Sequence, residues 1–292
     1  MPTLESELEA AAPIATAPRS APSRSVQYTR AFAGLFLRDL HVLRREKFPF
    51  LIRVIMNPLL FLFVFTYIMP HMSGGATLNP TAQMAGGNFS TVLLPGLMAV
   101  AIMFSGIAAV ALPLAQEFGI TREIDDRVMC PLPVAAVAIE KIVFSALQSM
   151  VAAAIVFPLA YYVPATPVVA HVSNWLFLIT ILALASLTAG ALGMVIGTSV
   201  KPAQIGLIFG TVVMPITFLG CVYYPWAGLV KMPVLQHAVL INPIVYMSEG
   251  LRAALTPALP HMDTGRIVAM LWFFLVLLTW LGIKGFIRRV IG

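Results

Sequence analysis

Apolar residues along this chain follow two patterns. In the stretch 28–48 they recur at helical spacing. Tyr28, Phe32, Leu35, Phe36 and Leu43 stack on one face, and Arg30, Arg38, His41 and Arg45 fall on the other. A helix that is basic on one side and aromatic on the other lies flat at a membrane surface. Asp39 interrupts its apolar face and is expected to pair with a neighbouring arginine. Beyond residue 49 the apolar residues form long runs instead. A bilayer core of ~30 Å takes about 20 residues of helix to cross. Six runs are long enough: Phe50–Met69, Val92–Ala115, Ile142–Val163, Trp175–Val200, Ala203–Tyr224 and Ile267–Ile287. The pattern therefore predicts an all-α integral membrane protein with six transmembrane helices behind an in-plane amphipathic helix.

A further apolar stretch, Val234–Leu251, invites a seventh crossing. It holds Gln236, His237, Asn242, Pro243 and Glu249. Helices usually end before a residue that precedes proline, so the stretch reads as a re-entrant hairpin broken at Asn242-Pro243. Ahead of all this, residues 1–27 are rich in Ala, Pro and Ser and bury too little to fold; they read as a disordered tail. The expected divisions are thus 1–27, 28–48 and 49–292, with a polar coupling segment at 116–133 and the re-entrant segment at 225–262.

Composition agrees with the pattern. The chain is 60% hydrophobic and 10% charged, against about 45–50% and about 25% in soluble domains. That excludes a self-contained soluble enzyme. The net charge of +6 forms no patch suited to nucleic acid. The basic residues sit at the edges of the apolar runs, where they orient spans. With a cytoplasmic N-terminus, fifteen of the eighteen Lys and Arg fall inside, and Lys231, Arg252 and Arg266 fall outside. This bias predicts that both termini are cytoplasmic. Cys130 and Cys221 then lie on opposite sides, which argues against a disulfide.

Candidate chemistry is sparse. No G-x-x-x-x-G-K-[ST] loop is present, so any ATP must be hydrolysed by another chain. The spans are almost free of ionisable residues, unlike those of ion-coupled carriers. No span holds a nucleophile–base set. His71, His171, His237 and His261 lack ligand spacing, and no metal site is expected. The most polar segment follows the second run. There Thr121 can cap a short helix, and Arg122 with Asp126, and Glu123 with Arg127, are spaced to pair. It reads either as a helix that receives force from a soluble partner or as a solvated loop. Small residues form rows at Ala189, Gly193 and Gly197, and at Gly206 and Gly210. Such rows allow close helix approach, inside one subunit or at a seam between two.

Taken together, these residues resemble the ABC type-2 membrane permeases. The resemblance is carried by Arg38-Asp39-Leu40 through Arg44-Arg45-Glu46-Lys47 and on to Asn57-Pro58. It continues in Glu117 through Pro133 with Glu140-Lys141. Its most specific block runs from Leu219 to Pro225, through Met232-Pro233 and Ile241-Asn242-Pro243-Ile244-Val245-Tyr246, to Glu249-Gly250-Leu251-Arg252. The chain departs from the family pattern at Ile124-Asp125-Asp126, where many relatives are more apolar, and in lacking a second Gly-Pro break before Pro215.

The resemblance implies a homo- or heterodimer of permeases bound to two ATPase subunits in the inner membrane. ATP and Mg would be held by those partners, with no cofactor in this chain. Glu117, Thr121, Arg122, Glu123, Asp125, Asp126 and Arg127 would couple to the ATPase. Phe32, Phe36, Arg38, Asp39, Arg45 and Glu46 would belong to the in-plane helix, seated against membrane lipid. Tyr224, Pro225, Asn242, Pro243, Tyr246, Glu249 and Arg252 would form the outer gate. Family members export drugs, lipids or lipid-linked polysaccharides. The mostly aliphatic spans favour a hydrophobic drug-like molecule or lipid here, with a lipid-linked polysaccharide as the alternative and an ion-coupled carrier as the competing class.

Overall fold

The computed structural model describes residues 24–68, 89–121, 132–164 and 168–291, which are helical with short connections and contain no strand. Helix α1 spans Arg24–Arg45. It begins ahead of Tyr28, so residues 24–27 belong to the helix and not to the predicted tail. Its aromatic face meets protein as well as surroundings. Leu35 is buried, and Phe36 sets its ring edge-on to Phe144 at 5.6 Å. The carboxylate of Asp39 lies 3.9 Å from Arg38.

After a turn at Glu46, α2 runs Lys47–Leu62 and continues as a wider helical turn, Phe63–Ile68. Helix α3 covers Phe89–Gln116, 28 residues, or about 42 Å at 1.5 Å per residue. It too ends in a wide turn, Glu117–Thr121. Helix α4 is Val134–Tyr162, and α5 is Trp175–Ser199, whose first turn is capped by Asn174 accepting from the Phe177 N–H at 3.1 Å. Helix α10, the last, is Thr264–Ile291.

Among the described residues four helices are long and apolar enough to cross a membrane: those at Ser90–Gly119, Val134–Tyr162, Trp175–Ser199 and Thr264–Val290. The first and fifth predicted runs take other forms. The first is α2 with its extension. The fifth is a shorter apolar helix, Pro202–Phe218, built from a 3-10 turn, α6 at Ile205–Ile208, a wide turn at Phe209–Val213 and α7 at Met214–Phe218. It stops short of Tyr224. Glycine is a poor helix former, and Gly206 and Gly210 loosen this stretch. Pro215 has no N–H to offer the Thr211 carbonyl, and in the wide turn before it Met214 N donates to Phe209 O, five residues back.

The core is organised around α3. It packs against α4, α5 and the buried helix α9 (Pro243–Leu255), while α10 packs on α5 and α9. In the most apolar window of α3, 78% of residues are buried within the chain, against 33% in α10. Helix α3 is therefore central, and α10 presents its other side outward. The close approach of α3 and α5 depends on the first small-residue row. A Cβ at Gly193 would stand 2.9 Å from the Ile107 backbone, where nothing can yield. Ala189, Gly193 and Gly197 thus serve packing inside one chain. Gly206 and Gly210 have nothing within 4 Å of such an atom.

Candidate functional site

Polar groups gather at both ends of α3. At the Gln116 end, the Lys141 ammonium donates to Glu117 Oε1 at 2.7 Å, with both side chains about 5% exposed. This pair ties the wide turn after α3 to the second turn of α4. Phe118 stacks edge-on against Phe286 of α10 and lies under the Arg289 guanidinium, 4.6 Å from the ring centre. Arg289 Nη1 in turn donates to the carbonyls of Gly197, Thr198 and Val200 at 2.9, 3.3 and 2.8 Å. These are the carbonyls a helix C-terminus leaves without partners, and a cation there also meets the negative end of the helix dipole. Gly119 lies close to Pro202, where a Cβ would come within 2.9 Å. The turn 117–121 is therefore wedged among α4, α10 and the start of the broken helix.

Of the predicted coupling residues, Glu117 is placed by this pair. Thr121 closes the turn, and its side chain lies outside the described residues together with Arg122, Glu123, Asp125, Asp126, Arg127 and Cys130. The segment that holds them is bounded by α3 on one side and α4 on the other.

At the other end, α9 carries a charged pair with no exposed surface at all. Glu249 and Arg252 are both 0% exposed, and Arg252 Nη1 donates to Glu249 Oε1. The carboxylate also accepts from two backbone N–H groups, Trp226 at Oε1 and Met262 at Oε2, each at 2.9 Å. Arg252 Nη2 donates to the Cys221 carbonyl at 3.1 Å. One helix turn thereby pins three segments of chain. Cys221, a free buried thiol, has φ 52°, a left-handed conformation that costs a residue with a side chain about 1–2 kcal/mol. The hydrogen bond from Arg252 helps to hold it.

The other predicted gate residues surround this clamp. Asn242 opens α9, accepting from Ile244 N at 3.1 Å and donating to the Ile216 carbonyl of α7 at 2.6 Å. Pro243 is the first residue of α9, where its missing N–H is harmless. The Tyr246 hydroxyl donates to the Leu240 carbonyl at 3.0 Å. Pro225 precedes a short 3-10 turn, and the half-buried Tyr224 packs its ring on the core while its hydroxyl reaches the Phe218 carbonyl only at 3.5 Å. The residues predicted for the in-plane helix lie in α1 and at its junction with α2, and Phe36 meets α4 at Phe144, one turn beyond Lys141. Phe32 and Phe36 are half-buried, Arg38 pairs with Asp39, and Arg45 and Glu46 are exposed at the junction with α2.

The sequence reading left out Lys141 as a partner of Glu117, and Arg289 as the cap of α5. Neither has a local signal, since the partners are 24 and about 90 residues distant. The Glu249–Arg252 pair was visible as an i,i+3 spacing. Its backbone partners at residues 221, 226 and 262 were not. Among the described residues no group of three or more His, Cys, Asp or Glu side chains gathers to hold a metal ion.

A family model described as ABC-2 type transporter matches residues 30–256. No curated protein and no solved structure gives a significant match. The matched span contains both ends of α3, the polar segment and α9 with its partners at Cys221 and Trp226, and ends before Met262. The chain therefore belongs to the ABC-2 type transporter family, as the membrane-spanning permease part of an ABC transporter that works with a separate ATP-binding subunit.

Proposed function

We propose that this permease exports a hydrophobic drug-like or lipid substrate, as a dimer energised by two ATPase subunits. The spans would number six, with α2 and the broken helix Pro202–Phe218 completing the set and α8 (Pro233–Ala238) and α9 forming the outer re-entrant hairpin. Both termini would be cytoplasmic, in the plasma membrane. The observation that carries the reading is the buried Glu117–Lys141 pair, which binds both flanks of the polar segment to long helices. An ordinary solvated loop needs no such anchor. The fold-breaking at Asn242 and the burial of α9 support the hairpin. The mostly aliphatic spans support a hydrophobic cargo.

The test is purification of the tagged chain from its native membrane. An ATPase bearing a P-loop should co-purify, and exchanging the signs of Asp125, Asp126 and Arg127 should remove it while membrane insertion stays normal. Retention of the ATPase and of transport in that triple variant would reduce the segment to a solvated loop. Orientation is checked in a Cys-less background: an impermeant thiol reagent should reach a cysteine at Ser73 or His261 from outside, and not one at Ser199. External labelling at Ser199 would overturn the six-span topology.

A further inference from the structure

A cavity of about 310 Å³ lies between α2, α3, α4 and the broken helix. That is the low end of the range for small-molecule sites, about 300–1,000 Å³. Most of its wall is apolar, with Phe50, Phe104 and Phe209 among its members. Three side chains break that character: Arg53 of α2, Ser105 of α3 and Gln148 of α4. Among the described residues Arg53 is the only charged group on the wall, and it makes no ion pair with another described residue. The Ser105 hydroxyl is buried, the residue being 7% exposed, and makes no hydrogen bond among the described residues. A buried hydroxyl left without a partner costs about 1–3 kcal/mol. Among the described residues several buried Ser and Thr hydroxyls back-bond to their own helix, as Ser149 does to Ser145 O and Thr188 to Leu184 O, and Ser186, away from this wall, shares with Ser105 the lack of a partner.

The polar groups sit at different depths. Arg53 is in the second turn of α2, near the end marked by Lys47, whereas Ser105 and Gln148 stand near the middles of α3 and α4. We infer that this cavity binds an anionic amphiphile: an acid head at Arg53, an apolar body along the aromatic wall, and a neutral hydrogen-bonding group, such as an ester or hydroxyl, at Ser105 and Gln148. The site lies within one chain. Gly206 forms part of its wall, and a Cβ added there meets no other atom within 4 Å. Position 206 therefore offers a way to fill the cavity without disturbing the packing. The ligand is either resident membrane lipid or transported cargo; the second identity rests on the export reading, the site itself does not.

The experiment uses the full chain with its ATPase in nanodiscs of neutral phosphatidylcholine. A photoreactive lysophosphatidic acid, below saturation, should label α2, α3 or α4 in the absence of ATP. The matching monoacylglycerol has the same chain, ester and hydroxyl without the phosphate. It should label about ten-fold less, as expected when a charge-assisted hydrogen bond is lost. Arg53→Gln should bring the acid down to the monoacylglycerol level, and Arg53→Lys should keep most of the preference. Gly206→Leu should suppress both probes, and Ser105→Ala should weaken both. Equal labelling by the two probes, an unchanged preference in Arg53→Gln, or full labelling in Gly206→Leu would each overturn the assignment. Adding ATP separates the sources. Label lost during hydrolysis identifies cargo, label retained identifies resident lipid, and the site stands in either case. If no ATPase co-purifies but labelling follows the pattern above, the export reading fails and the site remains.

Discussion

Glu249 shows how much a single carboxylate can hold in α9. It accepts hydrogen bonds from the Trp226 and Met262 N–H groups and from Arg252, with no exposed surface. An amide at that position keeps the shape but has one acceptor oxygen, and its NH2 would face a backbone donor. Glu249→Gln also leaves the Arg252 guanidinium buried without its counter-charge. Removing one partner of such a pair costs about 3–5 kcal/mol. Thermal unfolding of the purified permease in detergent should show a large fall in midpoint for Glu249→Gln. Tyr224→Phe is the contrast. Its hydroxyl makes only a long, exposed contact, and a surface change away from special features stays within about 0.5 kcal/mol. A Tyr224→Phe midpoint well below wild type would mean that the segment before Pro225 carries load through that hydroxyl after all.

Among the elements, what the sequence revealed divides by period. Helical periodicity and long apolar runs placed α1 and the four long helices because both signals are local. The junctions were harder. The stretch after Lys201 is as apolar as a span, yet Gly206, Gly210 and Pro215 divide it into short pieces. Hydrophobicity does not report the backbone hydrogen bonds that such residues weaken. The small-residue rows were equally ambiguous until packing assigned them. That assignment gives a paired prediction. Gly193→Ala sets a methyl 2.9 Å from the Ile107 backbone, and overpacking of this kind costs about 1–3 kcal/mol. Gly206→Ala meets open space and should gain the usual helix preference of alanine, about 0.5–1 kcal/mol. Melting curves of the two variants should move in opposite directions. For α1, the edge-on contact of Phe36 with Phe144 predicts that Phe36→Glu releases the helix from α4, because the introduced charge would have to be desolvated. Protease sensitivity of α1 in membranes is the readout, and unchanged protection would show that the helix is held by another face.

At the scale of the whole molecule, the two polar ends are joined by α3, which contributes Glu117 at one end and packs against α9 at the other. Helix α3 is about 42 Å long, with 28 residues, mostly buried. The long-range partners that fix its ends were not legible in the sequence, since Glu117 and Lys141 flank a segment of unlike character and neither spacing nor periodicity links them. Their role can be separated from simple stability. Lys141→Met alone takes the ammonium from a buried carboxylate and should destabilise by about 3–5 kcal/mol. Glu117→Gln together with Lys141→Met removes both charges, and replacing a buried pair with neutral groups is often harmless to stability. The double variant should therefore melt near wild type, insert normally and still bind the ATPase, because the polar segment itself is intact. What it loses is the firm attachment of that segment to α3 and α4. ATP hydrolysis should continue while substrate moved per ATP falls, measured together in proteoliposomes. If the double variant transports at the wild-type ratio, the pair serves only to hold α3 against α4.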